Sequence, residues 1–210
     1  MAETNANRVY YFVKNRIDRI LSIGNPGEQK AVLANLRRGL GHRPGEIPEL
    51  MTIFLEDLPK DLYRKRQRWC EEETEPTEEE WAVYTALTLF AMHQQSHDLL
   101  TEPMHREKAG FGAAMAQLAH SKDDEERVRR KFNMAATAAD IEEVAWHIKS
   151  AIQLLRAEDI PLDYAALARD LYRFQFPDSL ESVQLEWGRD FYRQLYYQNK
   201  SDSKEDQNNV

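Results

Sequence analysis

The chain has 210 residues, 42% of them apolar and 30% charged; this is core material for one domain or two small ones and excludes disorder throughout. Eight Gly and eight Pro exclude collagen-like and low-complexity classes, and one cysteine, Cys70, excludes an intrachain disulfide. The net charge of −8 is unevenly spread: residues 1–70 carry 13 Lys and Arg against 8 Asp and Glu, whereas 71–80 (EEETEPTEEE) hold seven Glu and no base. Such a chain can present a basic face locally, because a phosphate responds mainly to charges within about 8 Å. The longest nearly apolar stretch, Trp81 to Met92, falls well short of the ~20 residues a membrane span needs, and MAETNANR has no apolar leader segment. No membrane contact is expected, and the cytoplasm is the expected compartment.

Apolar residues recur at spacings of three and four almost everywhere, with no sustained alternation, so the expected class is all-α. Val9, Phe12, Val13, Ile17, Ile20 and Leu21 form one stripe, ended by Gly24-Asn25-Pro26-Gly27; a second helix runs from Glu28 to Leu40 and stops at glycines. Short helices follow over Glu49–Leu55 and Asp61–Trp69. Thr77 and Glu80 form a capping box that opens a long helix to Leu100, apolar or small on most sides and therefore central. Residues 101–109 (TEPMHREKA) are a polar connector, followed by helices near 110–120, 123–136, 140–157, 163–175 and 180–198. The organisation expected is two small bundles of nine to ten helices in all, residues 1–105 and 106–198, with an acidic disordered tail at 199–210.

The sequence has no glycine-rich phosphate loop, no G-x-S-x-G and no cysteine pair for zinc. His93 and His97 stand four apart on one helix face, but a zincin needs Glu where Gln94 stands. His97-Asp98 resembles the dipeptide of HD-type metal-dependent phosphohydrolases; this alternative enzyme reading takes His42 as first ligand and Asp140 or Asp159 as last. The basic groups are the other candidates. Arg37-Arg38 ends the second helix, where cations favour the dipole, and Arg43 follows in a glycine-rich loop. Arg64, Lys65, Arg66 and Arg68 spread around a helix beside the glutamate run. In Arg127-Val128-Arg129-Arg130-Lys131-Phe132, Val128 and Phe132 share the buried stripe, and Asp123–Arg127 and Glu126–Arg130 are available as i,i+4 pairs. Trp81, Phe132, Trp187 and Phe191 read as core, with Arg189 and Arg193 available to pair with Glu186 and Asp190.

The ordered set NLRRGLGHRPGEIPEL (35–50), WAVYTALTLFAMHQQ (81–95), FGAAMAQL (111–118), VRRKF (128–132), HIKSAIQLLR (147–156), IPLDYAALARDLYRFQ (160–175) and WGRDFYR (187–193) resembles the CasB family. That family is the small subunit of the type I-E CRISPR surveillance complex, Cascade. The resemblance covers roughly residues 8–197 and implies an all-helical subunit of two small bundles with no catalytic residues, metal or cofactor. Its implied partners are the backbone and large Cascade subunits, a second copy of itself, guide RNA and target DNA. Its implied role is R-loop stabilisation, supporting guide–target pairing and the displaced strand by sequence-independent phosphate contacts. Arg37, Arg38, Arg129, Arg130 and Lys149 match the family's basic positions, and Arg43 and Lys131 join them by proximity. Gly112 is followed by Ala113 where many relatives carry a basic residue. Guide pairing reads the sequence in such machines, so Arg and Lys on rigid helices suffice to position strands.

Overall fold

The computed structural model describes residues 2–59, 62 and 75–208, and among these the chain forms nine helices: α1 (Ala2–Leu21), α2 (Pro26–Arg38), α3 (Pro48–Leu55), α4 (Glu78–His93), α5 (Phe111–Gln117), α6 (Lys122–Ala136), α7 (Ile141–Ala157), α8 (Tyr164–Phe174) and α9 (Pro177–Asn208). The class is all-α, and a lone bridge between His105 and Leu162 is the sole β feature of the described residues. The helix expected over Asp61–Trp69 lies outside them, apart from Leu62.

Helix α4 is the axis of the fold. Every side chain from Trp81 to His93 is buried, and α1, α2, α3, α7 and α8 all pack on it. The capping box forms as the spacing predicts: Glu80 N donates to Thr77 Oγ1 at 3.2 Å, and Thr77 N donates to Glu80 Oε2 at 2.7 Å. Its far end differs from expectation, since the helix stops at His93 rather than Leu100. The cause is Gln94, a buried amide whose Nε2 donates to the carbonyls of His97 and Glu102 and whose Oε1 accepts Met104 N at 2.8 Å. Those bonds turn the chain back, helped by Ser96 at φ 76° and by Asp98, whose Oδ1 accepts the amides of Leu100 and Thr101. Two arginines serve the carbonyl end of the helix: Arg37 from α2 donates to Ala91 O at 3.3 Å, and Arg156 from α7 donates to Met92 O at 3.4 Å.

The connector 101–109 is stitched to the segment before α8. Leu162 N donates to Met104 O, Arg106 N to Leu162 O, and Asp163 N to Ala109 O. Asp163 also caps α8 through Ala166 N and accepts Lys108 N. Helices α1 and α4 pack on α8, and one apolar cluster runs from Ala6 to Leu195 across both halves of the chain. Helix α9 starts at Pro177 instead of near 180, and its backbone runs to Asn208, with no Gly or Pro between 189 and 208 to stop it.

Helix α9 is fixed at two points. A buried carboxylate, Asp170 of α8, accepts Trp187 Nε1 at 2.9 Å and the Arg169 guanidinium at 3.1 Å. Burial pushes its pKa up, while Arg169 and Trp187 pull it back. Arg173 clamps Glu186 through two bonds of 2.8 and 2.9 Å, so Glu186 is not the partner of Arg189 that the spacing allowed. On the other side α5 crosses α9 at Gly112, where a Cβ would collide with the Trp187 carbonyl and approach Phe191 N to 3.0 Å. The close crossing lets Phe111, Phe132, Trp187 and Phe191 pack together, with Phe132 and Phe191 stacked at 4.4 Å, which confirms these aromatics as core.

Replacing glycine by alanine therefore has opposite signs at two helical sites. Gly188→Ala has open space around its Cβ and should stabilise by about 0.5–1 kcal/mol. Gly112→Ala should cost about 2 kcal/mol or more, because overpacking outweighs the propensity gain; denaturant midpoints of the two variants measure both. A second expectation concerns His93, which is fully buried with Nδ1 2.8 Å from the Tyr164 hydroxyl. Burial, with the nearby His97 and Arg156 charges adding to it, lowers its pKa to about 4. The unfolded chain binds a proton near pH 6.5 that the fold refuses, so this contribution to stability is present above pH 6.5 and is lost as pH falls towards 4. Wild type should lose about 2 kcal/mol more than His93→Gln between pH 7 and 5.

Candidate nucleic-acid interface

The loop that ends α2 is shaped by packing beneath it. Tyr84 of α4 donates its hydroxyl to Gly39 O at 3.0 Å, and burial pushes that phenol up to about 12, so it remains a donor. Gly41 turns the chain at φ +85°, a conformation that side-chain-bearing residues rarely adopt. Arg43 follows, exposed, with Nη2 3.0 Å from Glu75, Nε 3.2 Å from Glu142 and its guanidinium carbon 5.8 Å from the centroid of the Trp81 ring. Glu46 fastens the loop, accepting Arg43 N at 2.9 Å and lying 2.7 Å from His42 Nδ1; those two bonds hold its pKa down.

Helix α7 faces this loop. Asp140 caps it through Glu143 N, and Val144, Ile148, Ala151, Ile152 and Leu155 turn into the core. The periodicity leaves Glu142, Trp146 and Lys149 on the loop side, where they line a cleft of about 240 Å³ whose floor is Thr85, Thr88 and Leu89 of α4. Lys149 Nζ would lie 3.6 Å from a Cβ on Gly41, so the ammonium stands against bare backbone. Trp146 is 64% exposed.

Helix α6 stands beside α7, and Lys131 Nζ joins the two through Ser150 Oγ at 3.2 Å. Its Val128 and Phe132 are buried as the stripe predicts. Arg127 pairs with Asp124 at 2.7 Å rather than with Asp123, and Arg130 lies 3.9 Å from Glu126. Among the described residues Arg38, Arg129 and Lys149 form no ion pair or hydrogen bond. The structure thus brings Arg43 and Lys149 to one cleft and ties Lys131 to the same helix as Lys149. Arg38 is exposed on the last turn of α2, while Arg129 and Arg130 stay on α6. Arg37 is different: half-buried, with its pKa lowered by burial, it is committed to the end of α4. Arg64, Lys65, Arg66 and Arg68 lie outside the described residues.

The histidine and aspartate pattern assembles no metal centre. Asp98 spends its carboxylate on Thr101 and Leu100, which hold its pKa down, and Asp140 is a helix cap. His42 pairs with Glu46, and His97 lies 3.6 Å from both Glu102 and Asp159. No group of three or more His, Cys, Asp or Glu among the described residues could hold a metal ion. The HD-type reading therefore has no geometry behind it. No described helix is long and apolar enough to cross a membrane. Two residues of this region escaped the sequence reading: Arg156, seven residues beyond Lys149 on α7, and Trp146, whose place off the buried stripe was the available signal.

Residues 32–192 match the family model for CRISPR-associated protein Cse2. No curated protein matches the sequence. Among solved structures, the chain is similar to the crystal structure of CasB from Thermobifida fusca, at 33% identity and a TM-score of 0.67 over 87% of this chain and 97% of that one. It shares its fold with M. ruber CasB, at 24% identity and a TM-score of 0.59 over 88% and 94% of the two chains. It also shares its fold with a chain of a CRISPR RNA-guided surveillance complex, at 20% identity and a TM-score of 0.67 over 92% and 99%. The family match over 32–192 and the 33% identity with the Thermobifida fusca protein agree with the all-helical fold described above: the chain belongs to the Cse2 (CasB) family of CRISPR-associated proteins.

Proposed function

We propose that the chain is a non-catalytic subunit of the type I-E CRISPR Cascade complex that supports guide RNA–target DNA pairing and the displaced strand through sequence-independent phosphate contacts. The observation that carries the reading is that three of the cations without an ion partner among the described residues, Arg38 on α2, Arg129 on α6 and Lys149 on α7, stand at positions that match the family's basic ones, in a chain whose net charge is −8. An acidic protein that leaves Arg and Lys uncompensated on three rigid helices has the equipment to hold phosphates without reading bases. The likeness to a chain of an RNA-guided surveillance complex supports membership in such an assembly. Arg38, Arg43, Arg129, Arg130, Lys131 and Lys149 form the proposed interface, and Arg37 supports it from below. The proposed partners are the backbone and large subunits, a second copy of the chain, guide RNA and target DNA, in the cytoplasm.

The test is to assemble Cascade with and without the chain and to measure R-loop stability at two salt concentrations. Lower stability and a shallower salt dependence without it are expected; equal stability in both overturns the proposal. Neutralising Arg38, Arg129, Arg130 and Lys149 together to Gln should reduce the salt slope for a single strand by about 3, from roughly 0.7 per contact, and leave sequence preference unchanged. Arg37→Gln should behave differently, lowering the unfolding free energy by about 1–2 kcal/mol because the α4 carbonyl end loses a charged donor.

A further inference from the structure

We propose that the cleft between the Gly39–Arg43 loop and α7 receives one unpaired base of a single strand, with the Trp146 indole as its stacking face and Lys149 holding the adjoining phosphate. The proposal rests on the nucleic-acid reading above and adds a base site where that reading has phosphate contacts alone. A tryptophan 64% exposed at the rim of a cleft is a large apolar surface without a partner among the described residues beyond the edge of His147. Lys149 follows it by three residues, so indole and ammonium project from the same face of α7, one turn apart. The Lys149 ammonium forms no ion pair among the described residues and faces Gly41, whose missing side chain leaves it approachable. Glu142, the carboxylate that lines the cleft, is paired with Arg43 Nε at 3.2 Å; Arg43 also reaches Glu75, and with the Lys149 ammonium the two acids are matched by two cations. The floor carries hydroxyls rather than carboxylates, and Thr88 spends its own on Thr85 O.

A paired base has both faces covered, so this chemistry fits an unpaired strand. Stacking is indifferent to base identity because every base offers a π face. The experiment uses Cascade assembled with the full chain and target DNA carrying 2-aminopurine at successive positions of the displaced strand. One position should show quenched emission that recovers with Trp146→Ala and stays quenched with Trp146→Phe. Trp146→Ala should weaken capture of that strand about tenfold, and an abasic site at the same position should reproduce the loss. If no position responds to Trp146→Ala, the base site is wrong. If Trp146→Ala instead releases the chain from the complex, the rim is a protein contact and the proposal falls. Equal R-loop stability with and without the chain would mark failure of the underlying reading, separately from the response at Trp146.

Discussion

Burial of α4 on every side from Trp81 to His93 is the constraint on which the other elements depend. A helix surrounded on all sides contributes most of its apolar area to the core, but its last carbonyls then lie where water cannot serve them. Two side chains from elsewhere answer that demand, Arg37 from α2 and Arg156 from α7, while Gln94 holds the turn that follows. The reach of the two arginines ties α2 and α7 to α4, and the space between the loop that follows α2 and helix α7, above α4, is the cleft that Trp146 and Lys149 line. The geometry of the candidate interface is thus a by-product of closing a buried helix end.

Charge on this surface is sorted by burial. Arginines that pack inward acquire partners, as Arg37 does with Ala91 and Arg173 with Glu186, and their electrostatics are spent within the fold. Those that project outward split into two kinds. Arg127 and Arg130 have carboxylates one turn away, pairs that contribute little in open solvent and yield easily to a competing anion. Arg38, Arg129 and Lys149 form no ion pair among the described residues, so binding a phosphate there requires none to break. A chain of negative net charge can hold such cations because most of its excess acid is confined to 71–80.

Local signals were legible and long-range ones were not. The Thr77–Glu80 box and the buried stripe of α6 involve partners within four residues, and spacing alone reveals them. The early end of α4 was hidden because Gln94 bonds to Glu102 and Met104 across a turn that composition does not announce. Arg37-Arg38 read as one basic pair on a helix end, yet the carbonyl that claims Arg37 is 54 residues away. The residue types in the candidate interface were therefore visible in the sequence, and the division of labour between them was not. Trp146 carried a readable mark, an aromatic residue off its helix's apolar stripe, though nothing in one dimension indicates that a loop from α2 stands opposite it.

The buried Asp170 has a consequence for alignment. Its carboxylate needs the indole N–H of Trp187 as well as the guanidinium of Arg169, and the Arg173–Glu186 clamp lies alongside. Sliding α9 along α8 by one helical turn, about 5.4 Å, would separate Asp170 from Trp187 and Arg173 from Glu186 at once and leave the buried indole N–H without its acceptor. A purely greasy contact between the two helices would tolerate several offsets of similar energy. The carboxylate acts as a detent that admits one of them, and it sets the position along the molecule at which the remainder of the 32-residue helix extends.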